Sequence, residues 1–277
     1  MNKDRPIGVF DSGIGGLSVL KQFVRFMPYE KYIYLGDNAH VPYGNKSAET
    51  VKEYAKECTE FLLDKKVKMI VVACNTVSAV AMDVVRSVSD VPVIEMIKPA
   101  AGAALRATVN GKIAVIGTRA TINSKAYSNE ILKLSDSKKI KVLSEACPLF
   151  VPIIEEGWIR HDATRLIIEE YLNDLYKTGV DTLVLGCTHY PMLAKLLTEI
   201  YPGLTLIDSG EHAAVSAVRV LAESSVLKEE RNEYVVKPEI EFFVSDLPAN
   251  FNEQAQRFLG FEVNSPKRVV PGRSLPK

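Results

Sequence analysis

What this sequence lacks narrows its function before any motif is read. It has no long hydrophobic run: its longest apolar stretches, such as Met69 to Cys74, are far too short to cross a bilayer. No apolar segment ending in a cleavage site opens it, since Met1 to Pro6 are polar, so a cytoplasmic protein is expected. It has no excess of charge, with 34 Lys+Arg against 34 Asp+Glu, so neither nucleic acid nor an anionic membrane is an expected partner. Four cysteines (Cys58, Cys74, Cys147, Cys187) in 277 residues do not make a disulfide framework. No Cys-x-x-Cys or His-x-x-x-His spacing is present, so no metal is expected. A redox dithiol is usually close in sequence, whereas Cys74 and Cys187 are 187 − 74 = 113 positions apart.

What is there is ordinary for a soluble globular chain, 47% hydrophobic and 25% charged. Short β-branched runs alternate with longer stretches of helical period. Strands are expected at Ile7–Phe10, Tyr32–Leu35, Met69–Ala73, Val93–Met96, Ile113–Ile116, Lys141–Ser144, Thr182–Leu185, Thr205–Ile207 and Glu239–Val244. Helices are expected at Ala48–Asp64 and Thr164–Tyr176 among others. This alternation predicts an α/β fold with mainly parallel sheets. The sequence also echoes itself. Gly8 to Ser12 resembles Ala114 to Thr118, and Val71 to Thr76 resembles Val184 to His189, each with a cysteine in the same place. In each half a further strand ends near a break, at Ile97-Lys98-Pro99 and at Asp208-Ser209-Gly210. Two related α/β halves with a cleft between them are expected. Lys228–Glu233 reads as a linker, and Ser265–Lys277, rich in Pro, Gly and Arg, reads as a disordered or foreign tail and is left out of the fold reasoning.

Cys74 and Cys187 carry the strongest chemical signal. Each stands just past a hydrophobic strand and before an expected helix, where open α/β sheets place their ligands. A helix N-terminus behind a thiol lowers its pKa and favours the thiolate. One such cysteine alone reads as a buried structural residue; two in matching contexts point to chemistry. Inverting a carbon centre by proton transfer needs a base on one face and an acid on the other. Thiols suit both roles, because their ordinary pKa of ~8.5 lies near operating pH. Asn75, Thr76, Thr188 and His189 follow the two cysteines and offer donors for a carboxylate, although the same residue types cap helices routinely. His189 is placed to tune Cys187 or to protonate a developing enolate.

Asp11-Ser12-Gly13-Ile14-Gly15-Gly16 opens the first helix. It is not a dinucleotide fingerprint: the third glycine position is Ser18, and Asp11 would repel a pyrophosphate. Asp11 suits a substrate ammonium, or a thiol whose protonation it sets, and equally well a helix cap. Asp37 carries the same readings. Pro42-Tyr43-Gly44 is a turn. Glu155-Glu156-Gly157-Trp158 ends a short helix, where acids are usually solvated. No arginine is expected in these motifs to grip a side-chain carboxylate, which leaves that task to hydroxyls and backbone N–H groups.

Asp11 to Leu17, Pro42-Tyr43-Gly44, Ala73-Cys74-Asn75-Thr76 and Gly186-Cys187-Thr188-His189-Tyr190-Pro191 together resemble the glutamate racemase family. Gly117-Thr118 with Thr121-Ile122, and Glu155-Glu156-Gly157, fit the same pattern, in order from about Ile7 to Gly260. A related aspartate racemase also has two cysteines but lacks the Asp-Ser pair of the first motif. A one-cysteine decarboxylase does not match the retained second cysteine, nor does a catalytically silent amino-acid-binding protein match the full set. The resemblance implies two pseudo-symmetric α/β domains, 1–98 plus 210–264 and 99–209, with a tail at 265–277. It implies catalytic roles for Cys74, Cys187, Asp11, His189 and Glu155, with Asp11 assisting Cys74 and His189 assisting Cys187. Substrate would be bound by Asp11, Ser12, Tyr43, Gly44, Asn75, Thr76, Thr118, Thr188 and His189. Neither pyridoxal phosphate nor metal is implied. D-glutamate would feed peptidoglycan synthesis in a bacterial cytoplasm, from a homodimer. Val77 and Ser78 depart mildly from the small Ala/Thr residues frequent there, and Asn38 occupies a variable site.

Overall fold

Parallel strands buried on both faces read as near-continuous Val/Ile/Leu runs, and such runs form the centre of this protein. The computed structural model describes residues 2–135, 139–228, 238–248 and 250–272. The chain begins β1 (Ile7–Asp11), α1 (Leu17–Phe26), β2 (Lys31–Gly36), α2 (Ala48–Asp64), β3 (Met69–Val72), α3 (Asn75–Val80), α4 (Met82–Val88) and β4 (Val93–Ile94). It continues with α5 (Ile97–Ala107), β5 (Lys112–Gly117), α6 (Arg119–Asn123), α7 (Ala126–Leu134), β6 (Lys141–Ala146), α8 (Phe150–Glu155), α9 (Asp162–Lys177), β7 (Thr182–Gly186), α10 (Ala194–Ile200) and β8 (Thr205–Asp208). Then come α11 (Ser209–Glu223), β9 (Glu239–Val244), α12 (Phe251–Leu259) and β10 (Lys267–Arg268). Short 3-10 turns lie at Asn38–His40, Tyr43–Asn45 and Tyr190–Leu193.

The expected strands all form. β4 stops at Ile94 rather than Met96, because the Glu95 carboxylate accepts hydrogen bonds from the N–H groups of Ile97 (2.5 Å) and Lys98 (2.9 Å) and turns the chain into α5. Side-chain caps fix other helix starts: Ser47 accepts from Thr50 N–H, Thr118 from Thr121 N–H, and Asp208 from Gly210 and Glu211 N–H.

Two sheets result, in orders β10-β9-β2-β1-β3-β4 and β6-β5-β7-β8, and every pairing is parallel. The segment β2-β1-β3-β4 of the first has the order of the whole second sheet, so the internal echo is an echo of topology. Register makes it closer still. Phe10 pairs with Val72, and Ile116 with Leu185. Two residues beyond each partner the chain leaves the sheet at Cys74 and at Cys187. Residues alternate across the strands: Val71 faces one core cluster and Val72 another, and likewise Leu183 and Val184. One core contains residues of both sheets together with α1, α11 and α12, while separate clusters cover the outer face of each sheet.

Part of the stretch set aside from Ser265 joins the first sheet. Lys267 and Arg268 pair in parallel with Phe243 and Val244, and Val269 is buried. A two-residue edge strand of exposed charged side chains has no apolar run to reveal it, and charge is how sheet edges resist further pairing. Residues 273–277 and, apart from Lys228, the linker stretch lie outside the described residues. Among the described residues, no helix is long and apolar enough to cross a membrane.

Candidate active site

A cavity of about 340 Å³ opens where the C-terminal ends of the two sheets meet. β1, β3, β5 and β7 deliver to its wall residues that stand just past their C-terminal ends: Ser12, Cys74, Thr118 and Cys187. Both thiols are free and buried, each only 5% exposed. Tyr43, Gly44, Asn75, Thr76, Thr188, His189 and Glu155 complete the polar wall, and Val41, Pro42, Pro148, Val151 and Pro152 the apolar one. Every residue named from sequence as catalytic or substrate-binding is therefore on this wall except Asp11, which sits buried behind Ser12.

The two thiols have unlike surroundings. The Cys74 thiol donates toward Ser12 Oγ at 3.7 Å. Burial, and next the negative charge of Asp11, push it up to about 12, so it rests as the neutral thiol. The expectation that a helix N-terminus would lower its pKa is thus overturned: the N–H of Val77 does pull it down, but desolvation outweighs that contribution. Asp11 serves the loop ahead of α1, one carboxylate oxygen accepting from the N–H groups of Gly13 (3.2 Å) and Gly16 (2.9 Å). Its other oxygen has no hydrogen-bond partner among the described residues. Burial raises the Asp11 pKa, against opposing contributions from His189 and those N–H groups.

Cys187 is followed by a 3-10 turn rather than by an α-helix start. Its partner is His189, whose Nδ1 lies 3.9 Å from Sγ, while Nε2 is 2.9 Å from Glu155 Oε1. Burial alone would make this imidazole less basic; Cys187 and Glu155 overcome it and push His189 up to about 10. At neutral pH the ring is an imidazolium held between the Glu155 carboxylate and the Cys187 sulfur. Glu155, at the end of α8, is therefore not merely a solvated helix-end acid. The His189 ring packs edge-on against Phe258 of α12, at 5.4 Å between centroids. Gly15 touches its other side, where a Cβ would overlap both His189 and Thr188 Oγ1.

Other polar groups are held by contacts that cross between the halves. Thr76 Oγ1 is 3.0 Å from Thr118 Oγ1, and Thr118 also caps α6. Asn75 accepts from Tyr127 O–H (2.5 Å) and donates to Ser209 Oγ (3.4 Å). The Thr188 carbonyl accepts from Ser18 O–H (2.5 Å). Of these residues only Thr118 acts as a side-chain helix cap. Tyr43 O–H donates to the buried carboxylate of Asp37 (2.5 Å), which His40 Nδ1 also contacts at 2.9 Å. Asp37 therefore anchors the Tyr43 turn from behind. Among the mild departures, Val77 is core and Ser78 O–H donates to the Val72 carbonyl.

Several residues escaped the sequence reading. Arg119 lines the cavity, against the expectation that no arginine stands in the motifs. The signal was at hand, since it directly follows Thr118. Tyr127, Ser18 and Ser209 were missed too, and no local pattern marks them: each is recruited from a distant helix.

The Asp/Glu/Hydantoin racemase family model matches residues 7–217. Glutamate racemase from Syntrophus aciditrophicus is 44% identical, covering 97% of this chain and 99% of that protein. Glutamate racemase from Chlorobaculum tepidum is 48% identical over 95% of each. The crystal structure of glutamate racemase from Francisella tularensis in complex with D-glutamate superposes with a TM-score of 0.88 at 38% identity, covering 98% of this chain and 99% of that one. The chain belongs to the Asp/Glu/Hydantoin racemase family, in its glutamate racemase branch, and is an isomerase.

Proposed function

We propose that the protein interconverts L- and D-glutamate by cofactor-independent, two-base proton transfer at Cα, between Cys74 and Cys187. The observation that carries this reading is the pair of buried thiols leaving equivalent strands of the two halves onto one cavity. A substrate between them has a sulfur on either face of its α-carbon. In one direction the Cys187 thiolate takes the α-proton and the Cys74 thiol delivers its own to the opposite face, leaving Cys187 as thiol and Cys74 as thiolate. The reverse direction restores the first state. Hydroxyl and backbone N–H donors of Ser12, Tyr43, Gly44, Asn75, Thr76, Thr118 and Thr188 hold the carboxylates and stabilise the carbanion-like charge in a site from which bulk water is largely excluded. The imidazolium of His189, held by Glu155, offsets negative charge at Cys187. Asp11, behind the wall, acts on Cys74.

Glutamate as substrate is supported by the D-glutamate bound in the Francisella tularensis relative. The family resemblance further supports supply of D-glutamate to peptidoglycan synthesis in the cytoplasm, a homodimeric working unit, and a division into 1–98 plus 210–264 and 99–209. The test is the action of metal-free, cofactor-free protein on pure L-glutamate in D2O, followed by optical rotation and α-deuteration, with L-aspartate in parallel. Loss of rotation with deuteration of glutamate alone is expected. Cys74→Ala and Cys187→Ala should each remove at least about a hundredfold of the rate, the scale of a positioned acid or base. Turnover by either variant near that of the parent protein would refute the two-base mechanism, and activity on aspartate alone would overturn the substrate.

A further inference from the structure

We propose that Arg119 is the specificity-determining cation for the side-chain carboxylate of the substrate; this rests on, and deepens, the reading of the cavity as a glutamate site. The charges around the cavity lead to it. Glutamate carries two carboxylates and one ammonium, so it enters with net negative charge. The wall it meets already bears the Glu155 carboxylate, and Asp11 lies behind Ser12. His189 is the one other lining residue that carries positive charge, and its two nitrogens face Glu155 (2.9 Å) and Cys187 (3.9 Å). Arg119 is what remains. It is solvent-exposed at the edge of the cavity it lines, and among the described residues its guanidinium forms no hydrogen bond and no ion pair.

Its backbone position at the cavity is fixed by its neighbours. Arg119 is the first residue of α6, directly after the cap Thr118, whose Oγ1 lies 3.0 Å from Thr76 across the cleft. Gly44 packs so closely on Thr118 that a Cβ there would be 2.8 Å from Thr118 Cβ. The arginine thus borders the Tyr43–Gly44 rim, with five N–H donors in a planar fork suited to a carboxylate. A neutral side chain of the same size, such as that of glutamine, gains nothing from this charge. The hydroxyls and backbone N–H groups of the wall bind either, so Arg119 supplies the discrimination they lack.

The test reads binding apart from turnover. Glutarate and its monoamide, which lack the α-amino group, are titrated calorimetrically into the intact protein and into Arg119→Gln and Arg119→Lys. The unsubstituted protein should prefer glutarate by about threefold, the scale of one solvent-exposed charge pair. Arg119→Gln should lose most of that preference and Arg119→Lys keep most of it. In kinetics, Arg119→Gln should raise KM for glutamate about threefold at ~0.01 M ionic strength, and the gap should close toward ~1 M, where charges are screened within a few ångströms. The proposal is overturned if the unsubstituted protein shows no preference, if Arg119→Gln retains it, or if Arg119→Lys loses it as fully as Arg119→Gln. A KM increase indifferent to salt would overturn it as well. Failure of the protein to racemise glutamate would refute the functional reading instead, and the glutarate titration would still decide on Arg119.

Discussion

Glu155→Gln isolates the charge that holds His189 protonated. The substitution keeps an oxygen acceptor opposite Nε2 and removes the negative charge 2.9 Å away. His189 reaches about 10 although burial opposes it, because Cys187 and Glu155 together favour the imidazolium. An opposite charge within hydrogen-bond distance is worth about 1 to 3 pH units. The Glu155 side chain is 39% exposed, so solvent screening places its effect at the low end, about one pH unit. The alkaline limb of kcat/KM should therefore move from near pH 10 in the parent to about pH 9 in the variant. Circular dichroism of glutamate consumption from either enantiomer, from about pH 6 to about pH 11, reads it. The equilibrium constant between enantiomers is unity, so kcat/KM must be equal in the two directions at every pH, and the limb must move equally in both. Stability carries the same sign. A histidine raised from 6.5 to about 10 stabilises the fold fully below 6.5 and loses that contribution as pH rises through about 10. The variant should accordingly be less stable than the parent at pH 6, with the difference vanishing above about pH 10. A limb that stays at its parental position in Glu155→Gln, or rises, would refute the assignment of His189 as a carboxylate-held imidazolium.

Two substitutions probe the frame. Gly44→Ala introduces a Cβ 2.8 Å from Thr118 Cβ at the contact between the halves, and should lower kcat/KM at least about tenfold while changing Tm by no more than about 2 °C; kinetics and a thermal melt check both. Lys68→Met strands Glu30, since the two form an ion pair at 2.6 Å with neither side chain exposed, and should cost roughly 3 to 5 kcal/mol in urea unfolding, most of which Lys68→Met with Glu30→Leu should return.

Much of this was legible in the sequence because it is local. Fully buried parallel strands must be apolar throughout, so Ile7–Asp11, Met69–Val72 and Thr182–Gly186 declare themselves, and the cysteines that follow them are located by counting. β10 is illegible for the opposite reason: Lys267 and Arg268 pair through backbone alone and leave their side chains in water. The protonation of Cys74 is not readable either. Its local context, an N-cap position after a strand, argues for a low pKa, whereas burial and Asp11, brought there by a different strand, decide the outcome. Glu155 is a helix-end acid in sequence, and becomes part of the site only because α8 ends beside a histidine 34 positions later. Local pattern identifies which residues leave a strand; what each then meets is set by long-range packing.

That distinction bears on why a fold with two matching halves carries unmatched surroundings for its two thiols. Equivalent strands deliver Cys74 and Cys187 to the wall of one cavity, and the proposed inversion at a single carbon uses them from opposite faces of the substrate. Identical surroundings on both sides would leave the single proton of the pair on either thiol alike, and so set no resting face. The surroundings break the tie. Asp11 and burial keep the proton on Cys74, while the imidazolium of His189 stands beside Cys187. Neither arrangement can favour one enantiomer at equilibrium, since the two are equal in energy. What the asymmetry sets is the resting state: which face of the cleft waits as acid, and so which enantiomer can react without a prior proton shift. The repeated fold brings both thiols to one cavity, and in the proposed mechanism the non-repeated residues Asp11, Glu155 and His189 make them a working pair.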